Sequence, residues 1–131
     1  MLSVGSFGQR YLGMAKTYGL NVDVVTVEAG KAIDPADVAE KLKSYAPGSL
    51  KAVFFQHNET STGILNPVAD IARQIRQHSD ALVIVDSVSG LLSADLSMDE
   101  WGLDVVVAGS QKAFMTGPGI ALIAVSPRAA Q

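Results

Sequence analysis

Lys112 lies in the loop Gly109-Ser110-Gln111-Lys112-Ala113-Phe114-Met115-Thr116-Gly117-Pro118-Gly119. The loop joins two apolar runs, Val105 to Ala108 and Ile120 to Val125, which read as two buried strands. A lysine at the mouth of an apolar core is either a solvated charge or an amine whose basicity is lowered for covalent work. Asp86 closes an earlier apolar run, Leu82-Val83-Ile84-Val85. A carboxylate at the tip of a buried strand is costly unless it is paired or hydrogen-bonded. It serves either as a cap for the turn Ser87-Val88-Ser89 or as the partner of a ligand cation. Taken singly, the lysine reads as solvated and the aspartate as a cap. Taken together, at the ends of successive strands, they make either a salt bridge or two sides of one cofactor site.

Pyridoxal phosphate needs such a pair: a lysine to form a Schiff base, and an acid on the pyridine nitrogen so that the ring accepts electrons from a substrate carbanion. Its phosphate needs donors, and Ser110, Gln111 and the N–H groups of the Gly-rich loop are of that kind. Its ring needs a flat apolar cover. Phe7, between Gly5 and Gly8, is either that cover or a core residue at a helix start.

The elements that must hold these residues follow from periodicity. Phe7, Tyr11, Met14, Ala15 and Tyr18 are spaced for an amphipathic helix that stops at Gly19. Val22 to Val27 is β-branched almost throughout and reads as a strand. Asp34 and Pro35 suit the N-cap and first position of a second helix with Val38, Leu42 and Tyr45 inward. Ala52 to Gln56 is a strand that ends in the polar loop His57-Asn58-Glu59-Thr60-Ser61-Thr62-Gly63. Asn66-Pro67 caps a third helix with Val68, Ile71, Ala72 and Ile75 inward. Strands at 81–85, 104–108 and 120–125 complete the pattern. Helices alternating with continuous apolar strands predict an α/β fold: three layers, a mostly parallel sheet flanked by helices. In such sheets ligands gather at the carboxyl ends of the strands. Three polar loops stand there, at 57–63, 86–90 and 109–119.

Composition narrows the function. The chain has 131 residues, 48% hydrophobic and 18% charged, which is enough for a core and suits one domain. A net charge of −3 without a basic patch gives no support for nucleic-acid binding. There is no cysteine, which excludes disulfides and thiolate chemistry within these residues. No apolar run reaches a membrane span, and the start lacks a signal-peptide pattern, so a cytoplasmic location without membrane contact is expected.

Four segments, in order, resemble class V aminotransferases, fold type I pyridoxal-phosphate enzymes typified by alanine–glyoxylate and serine–pyruvate aminotransferases. Gly109-Ser110-Gln111-Lys112 with Gly117-Pro118-Gly119 resembles their lysine motif, and Val85-Asp86-Ser87-Val88-Ser89 their aspartate motif. His57 to Gly63 resembles their His-x-Glu-Ser/Thr-Ser-Thr-Gly loop, and Ser6-Phe7-Gly8-Gln9-Arg10 the segment with the ring-stacking aromatic. The resemblance implies that Lys112 forms the internal aldimine and shuttles the substrate proton, and that Asp86 pairs with the pyridine nitrogen. It implies that Ser61 bonds near the ring hydroxyl and Asp86, that Gln111 and Ser110 contact the phosphate, and that Phe7 stacks on the ring. His57 and Glu59 match the motif and are expected to be structural. Substrates would be a small amino acid and a 2-oxo acid, on a homodimer.

The family's chains are longer. The expectation is that residues 1–131 are the central part of the large cofactor domain, with an N-terminal segment and a C-terminal small domain absent. The arginine for the substrate carboxylate would then lie outside, and the piece alone would be inactive. Two other readings stay open: a fold type I lyase or cysteine desulfurase-like enzyme, and a truncated domain without catalysis.

Overall fold

The computed structural model describes residues 1–131. Its elements run β1 (Leu2–Ser3), α1 (Ser6–Thr17), β2 (Val25–Thr26), α2 (Pro35–Leu42), β3 (Ala52–Gln56), β4 (Asn58–Glu59), β5 (Ile64–Leu65), α3 (Val68–His78), β6 (Leu82–Asp86), β7 (Val105–Gly109) and β8 (Ala121–Val125). The main sheet has the order β3-β6-β7-β8. Its first three strands are parallel, and β8 returns antiparallel to β7.

Strand alternation sets the layers. Val53 and Phe55 of β3, Val83 and Val85 of β6 and Val106 of β7 share one face. They form one core with Val38 and Leu42 of α2 and Val68, Ile71, Ala72 and Ile75 of α3. The four inward α3 positions predicted from spacing are all buried, and removing one large side chain such as Ile71 would cost about 2–5 kcal/mol. Phe54 points to the other face, where Tyr11 of α1 meets it at 6.3 Å between ring centroids. Helices thus flank both sides of a mixed sheet, as expected.

Asp34 caps α2 as predicted, accepting the Ala36 N–H at 2.8 Å. Tyr45 falls beyond the end of α2 and is only half-buried. Asn66 does not cap α3. Its amide instead ties two segments together, accepting from Ile33 N–H at 3.0 Å and donating to the Gln56 carbonyl at 2.8 Å. The strand expected over 22–27 shrinks to two residues, because its only partner is the equally short β1, paired Leu2 to Val25 and Ser3 to Thr26. The loop 57–63 contains β4, which pairs antiparallel with β5. The largest departure is β8. The sequence reads it as buried, yet all five residues are exposed, because it packs beside β7 and neither helix layer extends over its faces.

The end of the sheet opposite the polar loops is clamped by Asp104. Its carboxylate accepts from Arg76 of α3, from Val83 N–H of β6 at 2.7 Å and from Ser126 beyond β8 at 3.1 Å. One side chain therefore joins a helix to three strands.

Candidate active site

The loops after β3 and β6 are laced together. His57 Nδ1 and Ser87 Oγ are 2.9 Å apart in a buried contact. Asn58 Nδ2 donates to Ser89 Oγ at 2.9 Å, and the Thr60 and Ser89 hydroxyls meet at 2.7 Å. A Cβ on Gly90 would collide with the His57 ring, so this close approach requires glycine. Burial lowers the pKa of His57 below the ordinary imidazole value, which favours the neutral ring. These bonds fix the turn that follows Asp86.

Glu59 organises α1. The helix begins at Ser6, and Gly5 before it has no side chain to cap it. Its orphan donors are met from across the fold. Glu59 Oε2 accepts from Phe7 N–H at 3.1 Å and from Gly8 N–H at 3.0 Å, and Ser61 Oγ accepts from Ser6 N–H at 3.0 Å. Ser61 in turn donates its hydroxyl to Glu59 Oε1 at 2.7 Å. Burial pushes the Glu59 carboxyl up, but the Ser61 hydroxyl and the N–H groups of Gly8, Ser61 and Phe7 outweigh it, and the net pKa is lowered. An ionised carboxylate facing a helix N-terminus is also favoured by the helix dipole. Both residues matched to the family loop and expected to be structural, His57 and Glu59, make structural contacts here. Phe7, placed by this cap at the first turn of α1, is 38% exposed, with the Arg10 guanidinium 5.4 Å from its ring centre.

Asp86 ends β6 on the face that carries α1. Its Oδ1 accepts the Val88 N–H at 2.9 Å, the turn-cap contact expected of it. Burial raises its pKa above the usual carboxylate value; the Val88 N–H opposes the rise and the charge of Glu59 adds to it. Across the site, Tyr11 is pushed up to about 12, by burial first and then by Asp86.

Lys112 is exposed on the loop after β7, the strand next to β6. Neither Lys112 nor Asp86 takes part in an ion pair, so the salt-bridge alternative is not realised. The loop is closed by Ser110, which is buried. Its hydroxyl donates to the Gly117 carbonyl at 2.8 Å, and its own carbonyl accepts from Thr116 Oγ1 at 3.0 Å. Met115 takes a left-handed φ of 55°, uncommon for a bulky residue. Gln111 is exposed and folds back over Gly109, where a Cβ would lie 2.7 Å from its Oε1. Sheet register and loop contacts thus bring all three predicted loops to one end of the sheet. Ser61 bonds Glu59 rather than Asp86. Sequence reasoning did not single out Gln56 or Tyr11. Gln56 lies on the sheet face that α1 covers and Tyr11 on α1 itself, and neither belongs to a polar loop.

A mixed sheet flanked by helices, with these loops at the strand ends, is the fold type I pyridoxal-phosphate architecture. The aminotransferase class-V family model matches residues 11–131, and the chain belongs to that family. A "soluble hydrogenase 42 kDa subunit" of Anabaena cylindrica is 42% identical over 127 residues, 97% of this chain and 33% of that protein. The L-aspartate–glyoxylate aminotransferase of Paracoccus denitrificans is 39% identical over 127 residues, 95% of this chain and 32% of that protein. The crystal structure of ureidoglycine–glyoxylate aminotransferase from Bacillus subtilis superposes with a TM-score of 0.91 at 35% identity, over 99% of this chain and 33% of that one. The chain spans about a third of the length of the relatives it matches. Class-V aminotransferases depend on pyridoxal phosphate. No helix is long and apolar enough to cross a membrane.

Proposed function

We propose that residues 1–131 are the central part of the large domain of a pyridoxal-phosphate aminotransferase that moves an amino group from a small amino acid to a 2-oxo acid. The observation that carries this reading is Asp86. It is a carboxylate at a strand end, kept partly out of water, with only one of its oxygens hydrogen-bonded. That suits a cationic partner, and the exposed amine of Lys112 stands on the adjoining loop.

The donor set fits the cofactor. Asp86 would hold the proton on the pyridine nitrogen, Lys112 would bind the carbonyl carbon, and Phe7 would cover the ring. Ser61 would stand by the ring hydroxyl, and Gln111, Ser110 and the loop N–H groups would meet the phosphate. When bound, pyridoxal phosphate supplies an electron-accepting ring. The chain's own part is proton handling and positioning. Lys112 Nζ would take the proton from the substrate Cα and hold it for return on the far side of the substrate nitrogen, a general acid–base role. The bonds joining 57–60 to 87–89 hold Asp86 still while it does so. Ser110, already bonded to Gly117, acts on the phosphate best through its backbone and by shaping the loop. The whole enzyme is read as a cytoplasmic homodimer.

The test is the visible absorption that pyridoxal phosphate gains on condensing with a lysine, measured in the full-length protein. Lys112→Ala should abolish it and reduce transamination by at least the ~10²–10⁴-fold carried by proton transfer. An unchanged band in the variant refutes the assignment.

A further inference from the structure

Gln56 is fully buried, yet neither its Nε2 nor its Oε1 has a hydrogen-bond partner. A carboxamide buried without partners is costly, and an apolar side chain of the same shape would be better tolerated. The position of Gln56 in the sheet offers a reason for its presence. Gln56 and Asp86 are registered partners on the parallel strands β3 and β6. Their side chains therefore leave the same face, from backbones about 4.8 Å apart. Asp86 Oδ1 is satisfied by Val88, while Oδ2 accepts nothing. Gly8 leaves the room that the carboxamide occupies, since a Cβ there would lie 3.1 Å from Gln56 Oε1 and 2.6 Å from Ser3 Oγ. A buried donor without a partner and a carboxylate oxygen that accepts from no protein donor thus belong to registered neighbours on the face that carries α1.

We propose that Gln56 is a positioning residue for Asp86, its Nε2 donating to Oδ2 by a rotation of the side chain alone. The bond favours the ionised carboxylate and fixes the direction of the oxygen that faces a ligand cation. Other titratable groups bear on Asp86. Tyr11 from α1 is neutral at ordinary pH, Glu59 from β4 carries a like charge, and Lys112 beyond β7 makes no ion pair with it. Gln56 is the fully buried uncharged donor in register with Asp86. The importance of the bond for catalysis rests on the cofactor role given to Asp86, but its existence does not.

The test is a titration of the full-length protein, isotope-labelled at aspartate and glutamine, followed by carboxyl-carbon and side-chain-amide NMR. The Gln56 amide signals should move with the same midpoint as the Asp86 carboxyl. In Gln56→Met, Asp86 should titrate about one pH unit higher, while Asp104 at the other end of the sheet keeps its midpoint. Amide signals that stay flat through the Asp86 titration overturn the proposal, as does an Asp86 midpoint that is the same in both chains. A shift of Asp86 and Asp104 together also overturns it, because that marks a general loosening. Should the methionine variant not fold, the amide titration of the unsubstituted chain decides alone. Undiminished transamination by Asp86→Asn would remove the cofactor reading and leave this coupling to stand or fall on the titration.

Discussion

Asp86 carries two costs that a purely structural aspartate would avoid. It is partly desolvated, and it stands near the like charge of Glu59. Both raise its pKa, so the carboxyl group gives most to stability when protonated, below its unfolded value of 3.8, and that contribution is lost as pH rises through the folded value. At neutral pH the ionised group therefore works against the fold. Asp86→Asn should raise the urea midpoint of the chain at pH 7. In the full-length enzyme the same variant should lower the rate of substrate proton abstraction by about 10²–10³-fold, the scale of one lost electrostatic stabiliser. Cofactor uptake should fall much less. A variant that is less stable and still active would assign Asp86 to the fold and not to the chemistry.

Among the elements, α1 depends most on residues distant in the chain. Its capping acceptors, Glu59 and Ser61, lie more than 50 positions away, on the loop after β3. Glu59→Ala would leave the Phe7 and Gly8 N–H groups without their acceptor, at about 1–3 kcal/mol each, and should unfasten the first turn that carries Phe7. Amide hydrogen exchange checks this: protection at residues 6–9 should collapse while that of α3 persists. Equal loss in both helices would show the cap to be a general core contact instead. This dependence explains what the sequence discloses. Helix α3 and strands β3 and β6 are legible because their signal is local: apolar spacing in the first, an apolar run in the others. The Asp34 cap of α2 is legible for the same reason. The cap of α1 is not, since nothing near Gly5 names Glu59 as its partner. The exposure of β8 is not legible either, because an apolar run reads as buried whatever flanks it. Asp86 and Gln56 both end a strand and are registered partners, but a charge closing an apolar run asks for a partner and could be named, while an uncharged carboxamide in the same place could not.

Taken as a whole, the molecule has polar locks at both ends of its sheet, and pH should open them in sequence. His57, buried against Ser87 and Gly90, has a pKa lowered by burial. The unfolded chain binds its proton more readily, so its contribution is complete above the unfolded value of 6.5 and declines as pH falls below it. Glu59 and Asp104 have lowered carboxyl values. Burial opposes this in each, and it is outweighed by Ser61 and backbone N–H groups for Glu59, and by Arg76, Val83 and Ser126 for Asp104. Their contributions hold above the unfolded values of 4.5 and 3.8 and vanish as pH falls through the folded ones. The urea midpoint of the chain should therefore drop just below pH 6.5 and drop again below 4.5, the protonation of Asp86 opposing part of the second drop. His57→Gln should erase the first drop and keep the second. Asp104→Asn should weaken the second drop and keep the first, while costing about 3–5 kcal/mol at neutral pH by leaving Arg76 unpaired. A midpoint that runs level through 6.5 would mean that the His57 ring reaches water in the folded state. The loop after Asp86 would then lose its tie to the His57 ring and keep the Asn58, Thr60 and Ser89 bonds and its backbone bonds to β7, and the site would be softer than its geometry implies.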